Sequence, residues 1–155
     1  MKNYNSDLTL DEKVMMAVVR AAECFKRAQT SIFKKHGLSF PQYNILRVLD
    51  ASDDGQNKIS AVGKIMLTPG ANMTGLAKRL EQNNFIDRKP DPKDERVTLL
   101  AITKKGQKTL KLIKDEKNKA IDSILADLNS TEKNWFLEKI KSVIKATNTH
   151  SKKVS

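Results

Sequence analysis

Four acids and four cations crowd one ten-residue stretch: Asp87, Arg88, Lys89, Asp91, Lys93, Asp94, Glu95 and Arg96, with Pro90 and Pro92 among them. An aspartate two residues before an arginine can hold the guanidinium in a fork of paired N–H···O bonds, so Asp94 could aim Arg96 rather than cancel it. A guanidinium aimed outward from a tight turn suits the narrow minor groove of a nucleic-acid duplex, where the negative potential is enhanced. A second set lies upstream at Thr68, Asn72, Thr74, Lys78 and Arg79. An asparagine amide matches the edge of adenine, a hydroxyl serves any partner, and cations suit guanine or phosphate. Singly, each of these residues reads equally well as a solvated side chain, and the charged hairpin as protection against edge-to-edge pairing. Together they need elements that would present them to one partner.

The apolar spacing supplies such elements. Thr9 and Glu12 form a capping box, and Val14, Val18, Ala21, Phe25, Ala28 and Ile32 recur at intervals of three and four, predicting a helix from about Leu10 to Lys35 that Gly37 ends. Ser39 and Gln42 form a second capping box, with Pro41 in the first turn of a helix reaching Ala51. Lys58-Ile59 could pair as a minor strand. Ser60 is placed to cap a short helix to about Met66, and Thr68-Pro69 to restart one that runs to Gln82 and buries Met73, Leu76, Ala77 and Leu80. Runs at Phe85–Lys89 and Arg96–Leu100 flank the turn Pro90–Asp94 and predict a β-hairpin. Thr103 and Gly106 open a helix to about Leu128; Asn129 with Glu132 caps a last one to about Ala146, beyond which the tail to Ser155 should fray. A short helix, a tight turn, a second helix and then a hairpin is a winged helix-turn-helix, whose second helix docks in the DNA major groove.

Composition narrows the function classes. A formal charge of +11 over 155 residues favours a polyanionic partner. No apolar run suffices to span a bilayer, the polar start from Met1 to Thr9 lacks a secretory core, and Cys24 is the only cysteine, which together indicate a cytoplasmic protein with no membrane partner. Acids alternate with lysines in the last helices, which argues against a membrane-surface helix. The chain has no nucleophile elbow, phosphate loop, zinc-protease motif or dinucleotide fingerprint, so no enzyme and no cofactor is expected. Cys24 and His36 stand about 18 Å apart along one helix, too far to share a metal ion. A lone helical cysteine usually packs as a small hydrophobe rather than acting as a redox switch.

The stretch LTPGANMTGLAKRLE from Leu67 to Glu81, followed by FIDRKPDPKDERVTLLAITKKG from Phe85 to Gly106, resembles the multiple-antibiotic-resistance regulator (MarR) family, as does Ser39-Phe-Pro-Gln-Tyr43. The resemblance covers nearly the whole chain in element order, and its specific part is Asp91–Arg96. It implies a mainly α fold with a small β-hairpin wing: a winged helix-turn-helix over residues 39–102, flanked by dimerisation helices at 9–36 and 104–148. The implied function is sequence-specific binding of double-stranded DNA by a homodimeric repressor acting on pseudo-palindromic operators. Release by a small anionic or phenolic effector is implied as well, and a constitutive regulator without a ligand is equally compatible with the sequence. Carried over by position, Thr68, Asn72, Thr74, Lys78 and Arg79 serve the recognition helix, and Arg88, Lys89, Lys93, Asp94 and Arg96 the wing. Many relatives carry arginine where this chain has Gly75, so base contacts cannot be copied across from them. The alternative function is a nonspecific architectural DNA-binding protein. Dimerisation also follows from packing: the stripes of the first and last helices, Trp135, Phe136, Ile140, Val143 and Ile144 among them, exceed what one small core can cover.

Overall fold

The computed structural model describes residues 7–154, so the polar start up to Ser6 and the terminal Ser155 lie outside it. Its helices are α1 (Leu10–Lys34), α2 (Phe40–Asp50), α3 (Ile59–Ile65), α4 (Gly70–Gln82), α5 (Lys104–Ile124) and α6 (Ser130–Val154). Between them run β1 (Gln56–Lys58), β2 (Ile86–Asp91) and β3 (Asp94–Ile102). The mainly helical fold with a hairpin wing is the one that the sequence indicates. By its contacts the chain forms two units, one ending at Asn118 and one beginning at Lys119.

Both expected capping boxes form at the N-termini of α1 and α2. The Thr9 amide donates to Glu12 at 2.7 Å and the Ser39 amide to Gln42 at 2.9 Å, each satisfying a donor that the helix cannot. Gly37, at φ +73°, turns the chain out of α1 in the left-handed conformation. The first unit's core collects Phe33 from α1, Ile45, Leu46 and Leu49 from α2, Val62 from α3, Met73 and Leu80 from α4, Leu100 from β3 and Ile113 from α5, all buried. Phe33 stacks on Tyr43 with ring centroids 3.9 Å apart, fixing α1 against α2. Gly106 lets α5 start close to the hairpin, since a Cβ there would stand 2.5 Å from the Phe85 carbonyl oxygen. Thr103 caps that start, donating to the Asn84 and Phe85 carbonyls and accepting from the Gly106 amide.

Several local expectations are corrected. Ser60 does not cap α3, which begins two residues earlier than such a cap requires, at Ile59 with Lys58 as its cap. Thr68 does not cap α4 either. Pro69 takes that position without a side-chain bond, and the Thr68 hydroxyl turns back to the Met66 carbonyl at 3.3 Å. The reason lies in how α3 ends. The Thr68 amide bonds to the Gly63 carbonyl and the Leu67 amide to the Lys64 carbonyl, the paired closure that puts the residue after the helix in the left-handed region. That residue is Leu67, at φ +51° and 71% exposed. Glycine suits such a position and leucine is strained there by about 1 kcal/mol. Leu67→Gly should therefore raise the urea midpoint without changing the slope of the transition. A lowered midpoint would mean that the leucine side chain packs more than its exposure indicates.

In the second unit, Asn129 caps α6 through the Thr131 and Glu132 amides, as expected. The tail is not frayed from Thr147, because α6 continues to Val154. No glycine or proline interrupts Ala146–Val154, and the Thr149 hydroxyl bonds back to the Lys145 carbonyl within the helix. Trp135, Phe136, Leu137 and Ile144 of α6 remain exposed, as do Leu10, Val14, Met15 and Val19 of α1 in the first unit. Of the expected α1 stripe only Ile32 is fully covered within the chain.

Candidate nucleic-acid interface

Helix α4 buries Met73, Ala77 and Leu80 and so turns its opposite side to solvent. At 100° per residue, the centre of that outer side carries Ala71, Gly75, Lys78 and Gln82, all exposed. Asn72 and Arg79 lie together on one flank and Thr74 on the other, so Asn72 and Thr74 do not share a face. The Thr74 hydroxyl donates to the Gly70 carbonyl at 3.2 Å, which leaves its lone pairs outward. A Cβ added at Gly75 would meet nothing within 4 Å, so this glycine serves no packing need. Thr68 is half-buried in the turn before the helix. The sequence reading missed Ala71 as a centre-line position, because an alanine offers no chemistry to notice.

In the wing, the sheet order is β1-β3-β2, both pairings antiparallel. The turn is tighter than expected: β2 continues through Pro90 to Asp91, and only Pro92 and Lys93 lie between the strands. Register explains how Arg96 is presented. Pro90 faces Thr98 and the next residue, Asp91, faces Asp94, so Glu95, Arg96 and Val97 bulge from β3 without partners on β2. Arg96 sits at the middle of this bulge with its side chain 91% exposed. Asp94 holds it through Nε at 3.0 Å and Nη2 at 3.3 Å, and accepts the Arg96 amide at 3.2 Å. Lys89 and Lys93 are exposed, on β2 and at the turn. Arg88 is placed differently. It is half-buried at the base of β2, its Nη1 3.8 Å from Glu81 of α4, and its Nε is buried with no hydrogen-bond partner among the described residues. Arg88 therefore ties the hairpin to α4 and stands away from the exposed tip.

The bonds from Arg96, side chain first and then backbone, hold the Asp94 carboxyl below the ordinary aspartate value of 3.8. Asp91 is lowered likewise, chiefly by the Lys93 amide and then by Lys58. A depressed folded-state pKa gives stability that is present above the unfolded value and lost as pH falls through the folded one. The fork should thus be closed at neutral pH and open only as pH falls through a folded-state midpoint below 3.8. Carboxyl-carbon NMR titration checks this; a midpoint for Asp94 above 3.8 would contradict it.

Away from these surfaces, Tyr43, Arg47 and Asp50 of α2 face Gln107, Leu110, Lys111, Lys114, Lys117 and Asn118 of α5 across a cleft of about 320 Å³. Arg47 pairs with Asp50 at 3.2 Å, whereas the three lysines have no acidic partner among the described residues. Burial, then repulsion from Arg47 and Lys114, lowers the Lys117 pKa, and burial raises that of the Tyr43 phenol. The cleft is thus short of negative charge. Cys24 is exposed and accepts from Arg27 at 3.2 Å. Among the described residues no group of His, Cys, Asp or Glu could hold a metal ion, and no helix is long and apolar enough to cross a membrane.

Comparison with known proteins fits this geometry. The family model described as transcriptional regulator SarA/Rot matches residues 27–113. The HTH-type transcriptional regulator TtmR of Methylorubrum extorquens is 34% identical over 99 residues, which span 64% of this chain but only half of that relative. The HTH-type transcriptional regulator MhqR of Bacillus subtilis is 28% identical over 141 residues, 90% of this chain and 96% of the relative. The crystal structure of Sco3205, a MarR family transcriptional regulator from Streptomyces coelicolor in complex with DNA, superposes with a TM-score of 0.83 at 18% identity. That superposition covers 93% of this chain and 92% of the other, and it establishes a shared fold.

Proposed function

Because this chain belongs to the SarA/Rot family of transcriptional regulators and has the MarR winged-helix fold, we propose that it is a cytoplasmic repressor that binds pseudo-palindromic operators as a homodimer. The family is one of DNA-binding regulators rather than enzymes. The observation that carries the reading is Arg96: a guanidinium almost fully in solvent at the middle of a strand bulge, yet held in one orientation by Asp94. Such an arrangement restricts a long side chain in advance, reducing the entropy lost when it enters a minor groove. Lys78, with Asn72 and Arg79 on one flank and Thr74 on the other, would meet the major groove. The exposed apolar residues of α1 and α6 supply the surface for a second copy. A two-fold dimer would set its recognition helices about 34 Å apart, one DNA turn.

The α2–α5 cleft is where we place a small effector, its anionic or phenolic head among Arg47, Lys111, Lys114 and Lys117. Such a ligand releases DNA only by favouring a conformation that cannot bind it. The test is retention of genomic fragments by the purified protein against a large excess of poly(dI-dC). A specific regulator keeps a small subset of fragments and gives some of them up when an effector such as benzoate is added. An architectural protein, holding only phosphate, gives up all fragments alike to the competitor, and that result would reject the proposal.

A further inference from the structure

Asp91 has no place in the DNA-facing surfaces proposed above, yet it is the most buried acid of the wing, with a side chain only 7% exposed. Its carboxylate accepts the Lys93 amide at 2.9 Å and pairs with Lys58 Nζ at 3.1 Å. Lys58 belongs to β1, which is not a neighbour of β2. β3 lies between them, so the ion pair crosses the middle strand to join the two outer ones. Its two ends are informative. Lys58 is the cap residue from which α3 begins, and α3 leads directly into α4. Asp91 is the last residue of β2, at the step in register that opens the bulge carrying Arg96.

We propose that Asp91 and Lys58 form a latch that sets the Arg96 bulge relative to the helix-turn-helix, making both of them positioning residues for DNA binding. The proposal rests on the wing's contacting DNA. The bulge leaves Glu95 to Val97 without ladder partners, so the strand beside it needs another anchor. The Lys93 bond closes the turn locally, while the Lys58 bond refers it to the element that carries α4. A nearly buried carboxylate is costly without a cation, so the pair constrains geometry more than an exposed ion pair would. Lys58 spends its charge on Asp91 and is not a phosphate contact. The pair therefore differs from Asp94 and Arg96, in which the aspartate frees the arginine's outer edge for a partner.

The test uses the full chain on a duplex carrying a motif enriched from random DNA by binding to this protein, with affinity, salt dependence and hydroxyl-radical footprints read for Asp91→Asn, Lys58→Met, the double variant and Lys58→Arg. Asp91→Asn keeps an acceptor for the Lys93 amide and loses only the charge. Asp91→Asn and Lys58→Met should each weaken binding about fivefold or more, with the slope against salt unchanged and the loss confined to the flanking minor grooves. The double variant should bind no worse than either single one, Lys58→Arg should restore binding, and neither change should matter once Arg96 is alanine. Two results would overturn the latch. In one, Lys58→Met lowers the salt slope by about one while Asp91→Asn has no effect, which makes Lys58 a phosphate contact. In the other, minor- and major-groove protections fade together with the melting temperature, which makes the pair merely structural. If the unaltered protein showed no flanking protection and Arg96→Ala no effect, the wing reading itself would fail and the latch with it; that outcome is recognisable without the latch variants.

Discussion

Glutamate at both Leu10 and Val14 is expected to turn a dimer into monomers and to lower operator affinity by about 100-fold or more. Leu10 is 76% and Val14 47% exposed within one chain. If the protein acted as a monomer, charges at such sites would change stability by no more than about 0.5 kcal/mol. Both positions lie in the first turns of α1, where the helix dipole favours acids and Asp11 and Glu12 already stand, so the helix itself has little to lose. Inside a dimer the same carboxylates would be buried without partners, at a cost of several kcal/mol. The loss in DNA binding is larger than a pair of contacts would suggest, because each head separately must find its half-site without the gain of effective concentration. Sedimentation equilibrium and fluorescence anisotropy read the two effects. A monomeric parent protein would contradict the dimer, and a variant that still dimerises and binds would take the start of α1 out of its interface.

Arg96→Ala is expected to weaken operator binding by about 1–3 kcal/mol, roughly 5- to 150-fold, with the loss concentrated at bases flanking the half-sites. Among the described residues the side chain bonds only to Asp94, so removing it leaves nothing buried and unpaired there and should spare stability. Asp94→Ala should act in the same direction by a smaller amount, since it frees the guanidinium without deleting it. Tighter binding by Asp94→Ala would show that the aspartate merely cancels charge. Unchanged binding by a folded Arg96→Ala would remove the wing from the interface.

What could be read from the sequence was local. Each capping box is a pair of side chains three residues apart, and the fork joins Asp94 to Arg96 two residues on, so spacing alone discloses them. The fold followed from the order of these local signals and from resemblance. What stayed hidden depends on how distant segments meet. Asp91 reads as one acid among four until the register places it opposite Asp94 and beside Lys58, thirty-three residues earlier. Arg88 looks like a wing cation until the packing of β2 on α4 brings it toward Glu81. Thr68 has the chemistry of a helix cap, but the closure of α3 through Leu67 decides where its hydroxyl goes. The persistence of α6 to Val154 is hidden for a different reason. Polar residues suggest fraying, although nothing in them stops a helix.

The central claim, sequence-specific recognition by a two-fold dimer, is tested most directly by selecting bound duplexes from random DNA in moderate salt and sequencing them after several rounds. The account predicts an enriched motif with two-fold symmetry and half-site centres about one helical turn apart. Binding without any enriched motif would contradict it and leave a protein that holds the phosphate backbone alone.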